Sequence, residues 1–242
     1  MRIETVPTAY GTDVVIRLFN FDESMLKLEK LGLAEHSLAR IEDVVSHPHG
    51  LVLVVGPTGA GKSTTIGIIS SLVNKSAGKV KIFGVDIDDN FPLAKRYLGV
   101  VPQEFNFNQF ETPFDILRYQ AGFFGIPLKK ATARAEELLK LMGLWDKRSS
   151  ASRMLSGGMK RRLEIARGLL HNPKVLFLDE PTLGLDPQTR RHIWDYLITL
   201  RERQGVTMFM TTHYMEEAEH CDRIAIIDHG KIVGLDTPEG FK

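Results

Sequence analysis

The chain has 242 residues, of which 43% are hydrophobic and 25% are charged, and its formal net charge is +1. A chain of this length can bury a core without disulfides or metals, and a charge so close to zero excludes a whole-molecule attraction to nucleic acid or anionic lipid. The single cysteine excludes an intrachain disulfide, which suits a reducing compartment. The longest apolar run, Leu51 to Val55, is far shorter than the ~20 residues of a membrane-spanning helix, and the N-terminus lacks a signal-peptide pattern.

Short apolar runs alternate with helical patterns along the chain, which predicts an α/β fold around a buried parallel sheet. Two further segments, Val14 to Phe19 and Lys79 to Phe83, are bounded by Gly, Asn and Asp, and we predict that they form a small antiparallel β element beside the core. The predicted central strands are Leu51 to Val55, Val175 to Leu178, Thr207 to Met210 and Ile224 to Ile227.

The segment between the first two central strands has a different pattern. Thr112 and Pro113 are typical of a helix N-cap and first turn, and a leucine-rich stretch ends at Gly143. We therefore predict an inserted helical subdomain over residues 104–158.

A phosphate-binding pattern follows the first central strand. The residues Gly56-Pro57-Thr58-Gly59-Ala60-Gly61-Lys62-Ser63, followed by Thr64, match G-x-x-x-x-G-K-[ST] between a predicted strand and a predicted helix. Glycines let the backbone N–H groups curl around a phosphate, Lys62 would neutralise the β and γ phosphates, and Ser63 would ligate magnesium. The alternative is an ordinary glycine-rich turn. The context of the motif favours a site for a nucleoside triphosphate.

Two acids end the second central strand, where α/β sheets place their ligands. Asp179 would hold magnesium through water, and Glu180 would orient the attacking water or accept its proton. Taken alone, an acidic pair before Pro181 is as typical of a solvated turn as of a metal site. The phosphate-binding pattern upstream favours the catalytic interpretation.

Two more polar residues follow apolar strands. His213 ends Met210-Thr211-Thr212, where its imidazole could donate a hydrogen bond to the γ phosphate. Gln103 ends the run that starts at Leu98, and it could reach magnesium or the attacking water from the entry to the helical insert. We include both among the catalytic candidates because of the motifs around them.

A glycine-rich segment, Leu155-Ser156-Gly157-Gly158-Met159, opens a further helix, and its backbone N–H groups are available to an anion. Basic residues at 160–162 oppose the dipole of that helix, so they are unusual for an ordinary surface helix. From about Gly59 to the C-terminus the chain resembles the ABC transporter ATPases, on the evidence of this segment together with Gln103, Asp179, Glu180, Gly184-Leu185-Asp186 and His213.

The resemblance implies a RecA-like P-loop NTPase core that binds ATP and Mg²⁺, with Ser63, Gln103 and Asp179 at the metal. Residues Leu155 to Met159 would be the signature motif, which closes on ATP held by the Lys62 loop of a second copy in a head-to-tail dimer. Asp186 would contact that copy, and Gln103 would link the nucleotide to a groove for a separate transmembrane subunit. Met159 departs from the family's usual glutamine. The motifs look most like those of export ATPases of the drug and polysaccharide type.

The start of the chain has another resemblance. Residues 1–58 resemble the secretion and type IV pilus assembly ATPases, notably at Val6 to Gly11, Val15 to Leu18 and His47 to Leu51. We therefore predict a chimera, with an N-terminal segment over 1–50 and an ABC-type nucleotide-binding domain over 51–242. Where ABC ATPases have an aromatic residue that stacks on adenine, the chain has His36 and aliphatic residues. Losing a base stack costs ~1–3 kcal/mol, which predicts weaker and less base-selective ATP binding.

Three other functions remain open. A secretion or pilus assembly motor would need its own acidic and histidine-bearing segments, but Leu155 to Met159 stand there instead. A soluble ABC protein acting on DNA or ribosomes would carry coiled coils or two cassettes, and we expect no nucleic-acid partner. An engineered or recombinant chimera would bind nucleotide without transport. For the favoured function we expect a cytoplasmic chain held peripherally at the inner face of the membrane by its transmembrane partner.

Overall fold

The computed structural model describes residues 2–8, 11–17 and 50–242. His36, Phe19 and the rest of the segment 18–49 lie outside the described residues, and so does Tyr10. The strands are β1 (Arg2–Thr8), β2 (Gly11–Arg17), β3 (Leu51–Val55), β4 (Lys81–Ile82), β5 (Val85–Asp86), β6 (Leu98–Val101), β7 (Val175–Asp179), β8 (Thr207–Thr212), β9 (Arg223–Asp228) and β10 (Lys231–Asp236). The α-helices are α1 (Lys62–Ile69), α2 (Ile87–Arg96), α3 (Pro113–Phe123), α4 (Leu128–Leu141), α5 (Gly157–Leu169) and α6 (Pro187–Gln204).

A six-stranded sheet forms the centre of the fold, in the order β10-β9-β3-β8-β7-β6. All neighbouring strands are parallel except β10, which pairs antiparallel with β9. This confirms the predicted α/β fold and its central strands. Strands β3, β7 and β8 carry continuous apolar runs because helices cover both faces of a parallel sheet.

Each face of the sheet packs into its own hydrophobic cluster. Leu51, Leu53 and Val55 of β3 belong to a cluster with α3, α4, α5 and α6, whereas Val52 and Val54 belong to a second cluster with α1 and α2. This division follows from the alternation of side chains along a strand. The result is a three-layer arrangement in which the carboxyl ends of the strands remain free to hold ligands.

The predicted helices between β6 and β7 are present. Thr112 caps α3 by accepting a hydrogen bond from the Asp115 N–H at 3.2 Å, and Pro113 occupies the first turn. Gly143, with φ +61°, follows the end of α4. Two 3-10 helices, Trp145–Lys147 and Ser152–Met154, then lead to α5.

The small antiparallel element differs from the prediction. Strand β4 pairs with β5, and β2 pairs with β1, so the two predicted segments lie in separate two-stranded sheets. Positive φ angles at Phe83 (+49°) and Gly84 (+79°) explain the shorter strand at Lys79 to Phe83. Two consecutive left-handed residues close a tight hairpin, and its local hydrogen bonds replace longer-range pairing.

Among residues 2–8, 11–17 and 50–242, no helix combines the length and the apolar character needed to cross a bilayer.

Packing of the central strand predicts a stability difference between two leucines. Leu53 is 0% exposed at the centre of β3, so Leu53→Ala should lower the free energy of unfolding by ~2–5 kcal/mol through lost burial and a cavity. Leu72 is 77% exposed, and Leu72→Ala should change the free energy of unfolding by less than ~0.5 kcal/mol. Denaturant unfolding measures both values, and equal losses would contradict the packing described for β3.

Candidate nucleotide site

The loop between β3 and α1 has the close backbone packing that its glycines predict. A Cβ added to Gly56 would lie 2.1 Å from the carbonyl oxygen of Ile227 in β9. Gly59 and Gly61 have φ of +82° and +100°, angles that residues with a Cβ rarely adopt. The loop is also tied to the β9–β10 turn, since the Gly230 N–H donates to the Ala60 carbonyl at 2.9 Å.

Lys62, the first residue of α1, folds back over the loop. Its Nζ donates to the carbonyls of Gly56 at 2.5 Å and Pro57 at 3.0 Å. Burial lowers the pKa of Lys62, and the nearby charges of Glu180 and Asp179 oppose that shift. The ammonium is therefore held at the loop, near enough to Glu180 and Asp179 for their charges to act on it.

One cavity of about 410 Å³ brings the separate motifs together. Residues of the loop, Gln103 after β6, Glu180 after β7 and His213 after β8 all line it, as does Leu183, which the sequence analysis missed. The complete lining is Thr58, Gly59, Gly61, Lys62, Ser63, Thr64, Gln103, Glu180, Leu183 and His213.

Asp179 does not line this cavity, but it contacts Ser63, which does, and it joins two segments. Its Oδ1 accepts hydrogen bonds from Ser63 Oγ at 3.1 Å and from Thr211 Oγ1 at 2.6 Å. A carboxylate beside a serine hydroxyl is the oxygen-donor set that Mg²⁺ prefers in phosphate sites, so these residues fit that ion. Thr211 was not predicted, although its position in the strand before His213 was a usable signal.

Glu180 occupies a strained backbone conformation. Its φ is +47°, a left-handed angle that costs a residue with a side chain ~1–3 kcal/mol. The Glu180 N–H is shared between the carbonyl oxygen of Thr211 at 3.2 Å and its Oγ1 at 3.1 Å. Glu180 is only 6% exposed, and its Oε1 lies 2.6 Å from Nε2 of His213. His213 thus contacts Glu180 and also lines the cavity.

The glycine-rich segment Leu155–Met159 does not line this cavity. Ser156 caps α5 by accepting the Met159 N–H at 3.3 Å. Gly158 packs so closely that an added Cβ would lie 2.3 Å from Thr189 Cγ2 of α6. Ser156 and Gly157 are exposed, so this helix start is accessible to solvent.

The basic residues after this segment have structural partners that explain their position. Arg161 is 3% exposed, and its guanidinium donates to the carbonyls of Pro102 and Gln103, each at 2.7 Å. Arg162 donates to the Met142 carbonyl at 2.7 Å near the end of α4. Burial lowers the pKa of Arg161, with Glu164 and Asp179 opposing the shift. The start of α5 is therefore anchored to Gln103, a link that the sequence analysis did not identify.

Asp186 caps α6. Its Oδ1 accepts the Thr189 N–H at 2.9 Å, and the hydrogen bonds from Thr189 hold the pKa of this exposed carboxyl below its usual range. It does not line the cavity that Lys62 and Glu180 form.

Comparison with known proteins identifies the family. Residues 45–183 match the family described as ABC transporter. The chain belongs to that family. It is an ATP-binding and ATP-hydrolysing P-loop domain, as the relatives described below also indicate.

Several relatives are named as ATP-binding proteins of resistance or export. The chain is 37% identical over 238 residues to the linearmycin resistance ATP-binding protein LnrL of Bacillus subtilis, covering 98% of this chain and 69% of that protein. It is 39% identical to the daunorubicin/doxorubicin resistance ATP-binding protein DrrA of Streptomyces peucetius, over 81% of this chain and 59% of the relative. It is 40% identical to the Nod factor export ATP-binding protein I of Rhizobium etli, over 76% and 58%.

Solved structures agree on the fold. The cbiO1 protein of Clostridium perfringens, part of the ABC transporter complex cbiONQ, superposes with a TM-score of 0.73 at 26% identity, covering 79% of this chain and 78% of that one. An ATP-binding subunit of an ABC transporter gives 0.68 at 28% identity, covering 79% and 80%. The predicted secretion-ATPase resemblance of residues 1–58, and with it the chimera, finds no support. The match to LnrL covers nearly the whole chain.

The packing of Gly56 predicts a loss of nucleotide binding. Gly56→Ala should weaken ATP binding at least ~10-fold, because the new methyl group must displace either the loop or β9. Gly122→Ala in α3 is the matched control, since no heavy atom lies within 4 Å of the added Cβ. Titration with a fluorescent ATP analogue measures both variants. Unchanged affinity of the Gly56 variant would contradict the loop geometry.

Proposed function

We propose that this chain hydrolyses Mg·ATP as the nucleotide-binding subunit of an ABC-type exporter, working as a head-to-tail dimer beside a separate transmembrane subunit. The observation that carries the proposal is the common cavity of Lys62, Gln103, Glu180 and His213. A nucleotide with its terminal phosphates in the Gly56–Ser63 loop would present its γ phosphate to these side chains.

The reaction follows from the roles of the charged groups. Glu180 receives a proton from water as the water oxygen bonds to the γ phosphorus, while the bond from that phosphorus to the bridging oxygen breaks and ADP leaves. Lys62 exchanges its carbonyl partners for phosphate oxygens. Without nucleotide, His213 orients Glu180. When nucleotide binds in the cavity, His213 donates a hydrogen bond to the γ phosphate. Thr58, Gly59, Ala60, Gly61 and Thr64 supply backbone or hydroxyl contacts to the phosphates.

Ser63 and Asp179 would hold magnesium, with Gln103 as a further oxygen ligand. The ion supplies neutralisation of phosphate charge when bound. The 3.1 Å contact between Ser63 Oγ and Asp179 Oδ1 already holds the two main ligands together.

The head-to-tail dimer is supported by the position of the glycine-rich start of α5. The accessible helix start with Ser156 and Gly157 offers N–H groups to an anion, yet it does not line the cavity of its own chain. A second copy could place this start, with Leu155 to Met159, over the phosphates. Asp186, at the exposed start of α6, would then face the other copy.

The transmembrane partner is supported by a groove next to Gln103. This groove has a volume of about 290 Å³ and is lined by Pro102, Asn106, Gln120 and Phe124, among other residues. On the same helix, α3, Tyr119 and Phe123 are 60% and 85% exposed. Because Arg161 joins Gln103 to α5, a partner in the groove would sense both the nucleotide and the signature helix. As the family resemblance implies, we propose that this partner holds the subunit at the cytoplasmic face of the membrane.

Export is the direction that the relatives favour, since they are named for drug resistance or Nod factor export. The division into segments 1–50 and 51–242 and the helical subdomain at 104–158 remain our proposal. So does the weaker adenine selectivity, whose residues lie outside the described part of the chain. A titration that finds tight preference for adenine over guanine nucleotides would overturn that last prediction.

The catalytic assignment predicts the effect of one isosteric change. Glu180→Gln should lower ATP turnover by ~10²- to 10⁴-fold, because the amide cannot accept the water proton. It should leave the affinity for ATP within ~3-fold of wild type, since Lys62 and the loop are intact. Phosphate release by the purified chain measures turnover. Equal turnover rates for the wild-type protein and the variant would contradict the assignment of Glu180 as the residue that accepts the water proton.

The dimer predicts a nucleotide-dependent change of size. With hydrolysis blocked by Glu180→Gln, Mg·ATP should persist between two copies, so light scattering after size exclusion should report twice the monomer mass. Adding Ser156→Arg should abolish this dimer, because the side chain blocks the approach to the second copy's phosphates. Lys129→Arg, on an exposed face of α4, is the control. A dimer that survives Ser156→Arg would contradict the head-to-tail arrangement.

A further inference from the structure

Thr211 is a buried hydroxyl between the two acids of the site. It is 0% exposed, so water does not reach its side chain. Its Oγ1 donates to Asp179 Oδ1 at 2.6 Å and accepts the backbone N–H of Glu180 at 3.1 Å. One hydroxyl therefore contacts the residue proposed to hold magnesium and the residue proposed to activate water.

The strand register explains this position. Asp179 of β7 pairs directly with Thr211 of the parallel strand β8. Directly opposed residues in a sheet project their side chains to the same face. The hydroxyl is therefore fixed by the hydrogen-bonded ladder on both sides, and not by a flexible loop.

From this geometry we infer that Thr211 is a positioning residue for the hydrolysis reaction, one that sets the orientation of both acids; the inference rests on the proposed function. With Oδ1 of Asp179 held by Thr211 and Ser63, the carboxylate cannot rotate freely, and Oδ2 takes part in neither of these bonds. Asp179 would therefore offer a fixed carboxylate to magnesium. Thr211 does not line the cavity of the site, so it would act through the two acids.

The second half of the role concerns Glu180. This residue has φ +47°, an angle that its neighbours must maintain. The Glu180 N–H is held by both oxygens of Thr211, the carbonyl at 3.2 Å and the hydroxyl at 3.1 Å. Removing the hydroxyl leaves only the carbonyl contact, so Glu180 can relax and its carboxylate can leave His213.

The chain offers matched variants for a test. Thr211→Val keeps the shape and removes the hydroxyl, whereas Thr211→Ser keeps the hydroxyl and removes the methyl group. Thr207→Val makes the same change at the opposite end of β8, where the residue is also buried and lies an even number of positions away, on the same face. Thermal unfolding of all three variants reports any general loss of stability.

The main readout is the gain in nucleotide affinity that magnesium provides, measured as the ratio of dissociation constants for a fluorescent ATP analogue in EDTA and in excess Mg²⁺. We expect Thr211→Val to reduce this ratio by ~5- to 20-fold, because a hydrogen bond to a charged group is lost. Thr211→Ser and Thr207→Val should stay within ~2-fold of wild type. Affinity in EDTA should be unchanged in every variant.

The outcomes separate the inference from the function beneath it. A wild-type ratio in Thr211→Val would overturn the role of Thr211 while leaving the catalytic assignment intact. A ratio of one in the wild-type protein would overturn both the inference and the proposed magnesium ligands. Equal reductions in Thr211→Val and Thr207→Val would also overturn it, since a general weakening of β8 would then be the cause.

Discussion

The site depends on the contact among Ser63, Asp179 and Thr211. The hydroxyls of Ser63 in α1 and Thr211 in β8 both donate to Oδ1 of Asp179, at 3.1 and 2.6 Å. These bonds connect the phosphate loop to the centre of the sheet. Strand register determines the contact, since a shift of one residue would turn Thr211 to the opposite face. Glu180 follows Asp179, and His213 lies two residues beyond Thr211, so this same register brings the catalytic candidates together.

A second link runs from the site to the surface of the molecule. Arg161 joins the start of α5 to the carbonyls of Pro102 and Gln103. It is a buried charge, and burial lowers its pKa. A buried guanidinium that lost these carbonyls would be costly, so the two segments should move together. The arrangement explains why basic residues stand at a helix start, where the helix dipole alone would disfavour them.

Much of this could be predicted from the sequence because it is local. An apolar strand followed by a glycine pattern and a helix start identifies the phosphate loop, and strand-end acids indicate the catalytic edge of the sheet. Thr211 and Arg161 could not be predicted in the same way, since their roles arise from strand register and from contacts between distant segments. The predicted pairing of the antiparallel element is wrong because a turn at Phe83 and Gly84 forms a local hairpin. The resemblance of residues 1–58 to secretion ATPases rested on short motifs, and the match to LnrL across the chain gives it no support.

A crystal structure of the protein with Mg²⁺ and a non-hydrolysable ATP analogue tests the central claim most directly. The account predicts the γ phosphate within hydrogen-bond distance of Lys62 Nζ, with the metal between that phosphate, Ser63 and Asp179, and with Glu180 facing the γ phosphorus. It also predicts that the Thr211 hydroxyl remains on Asp179. Triphosphate bound on another face of the fold, or a metal held without Asp179, would contradict it.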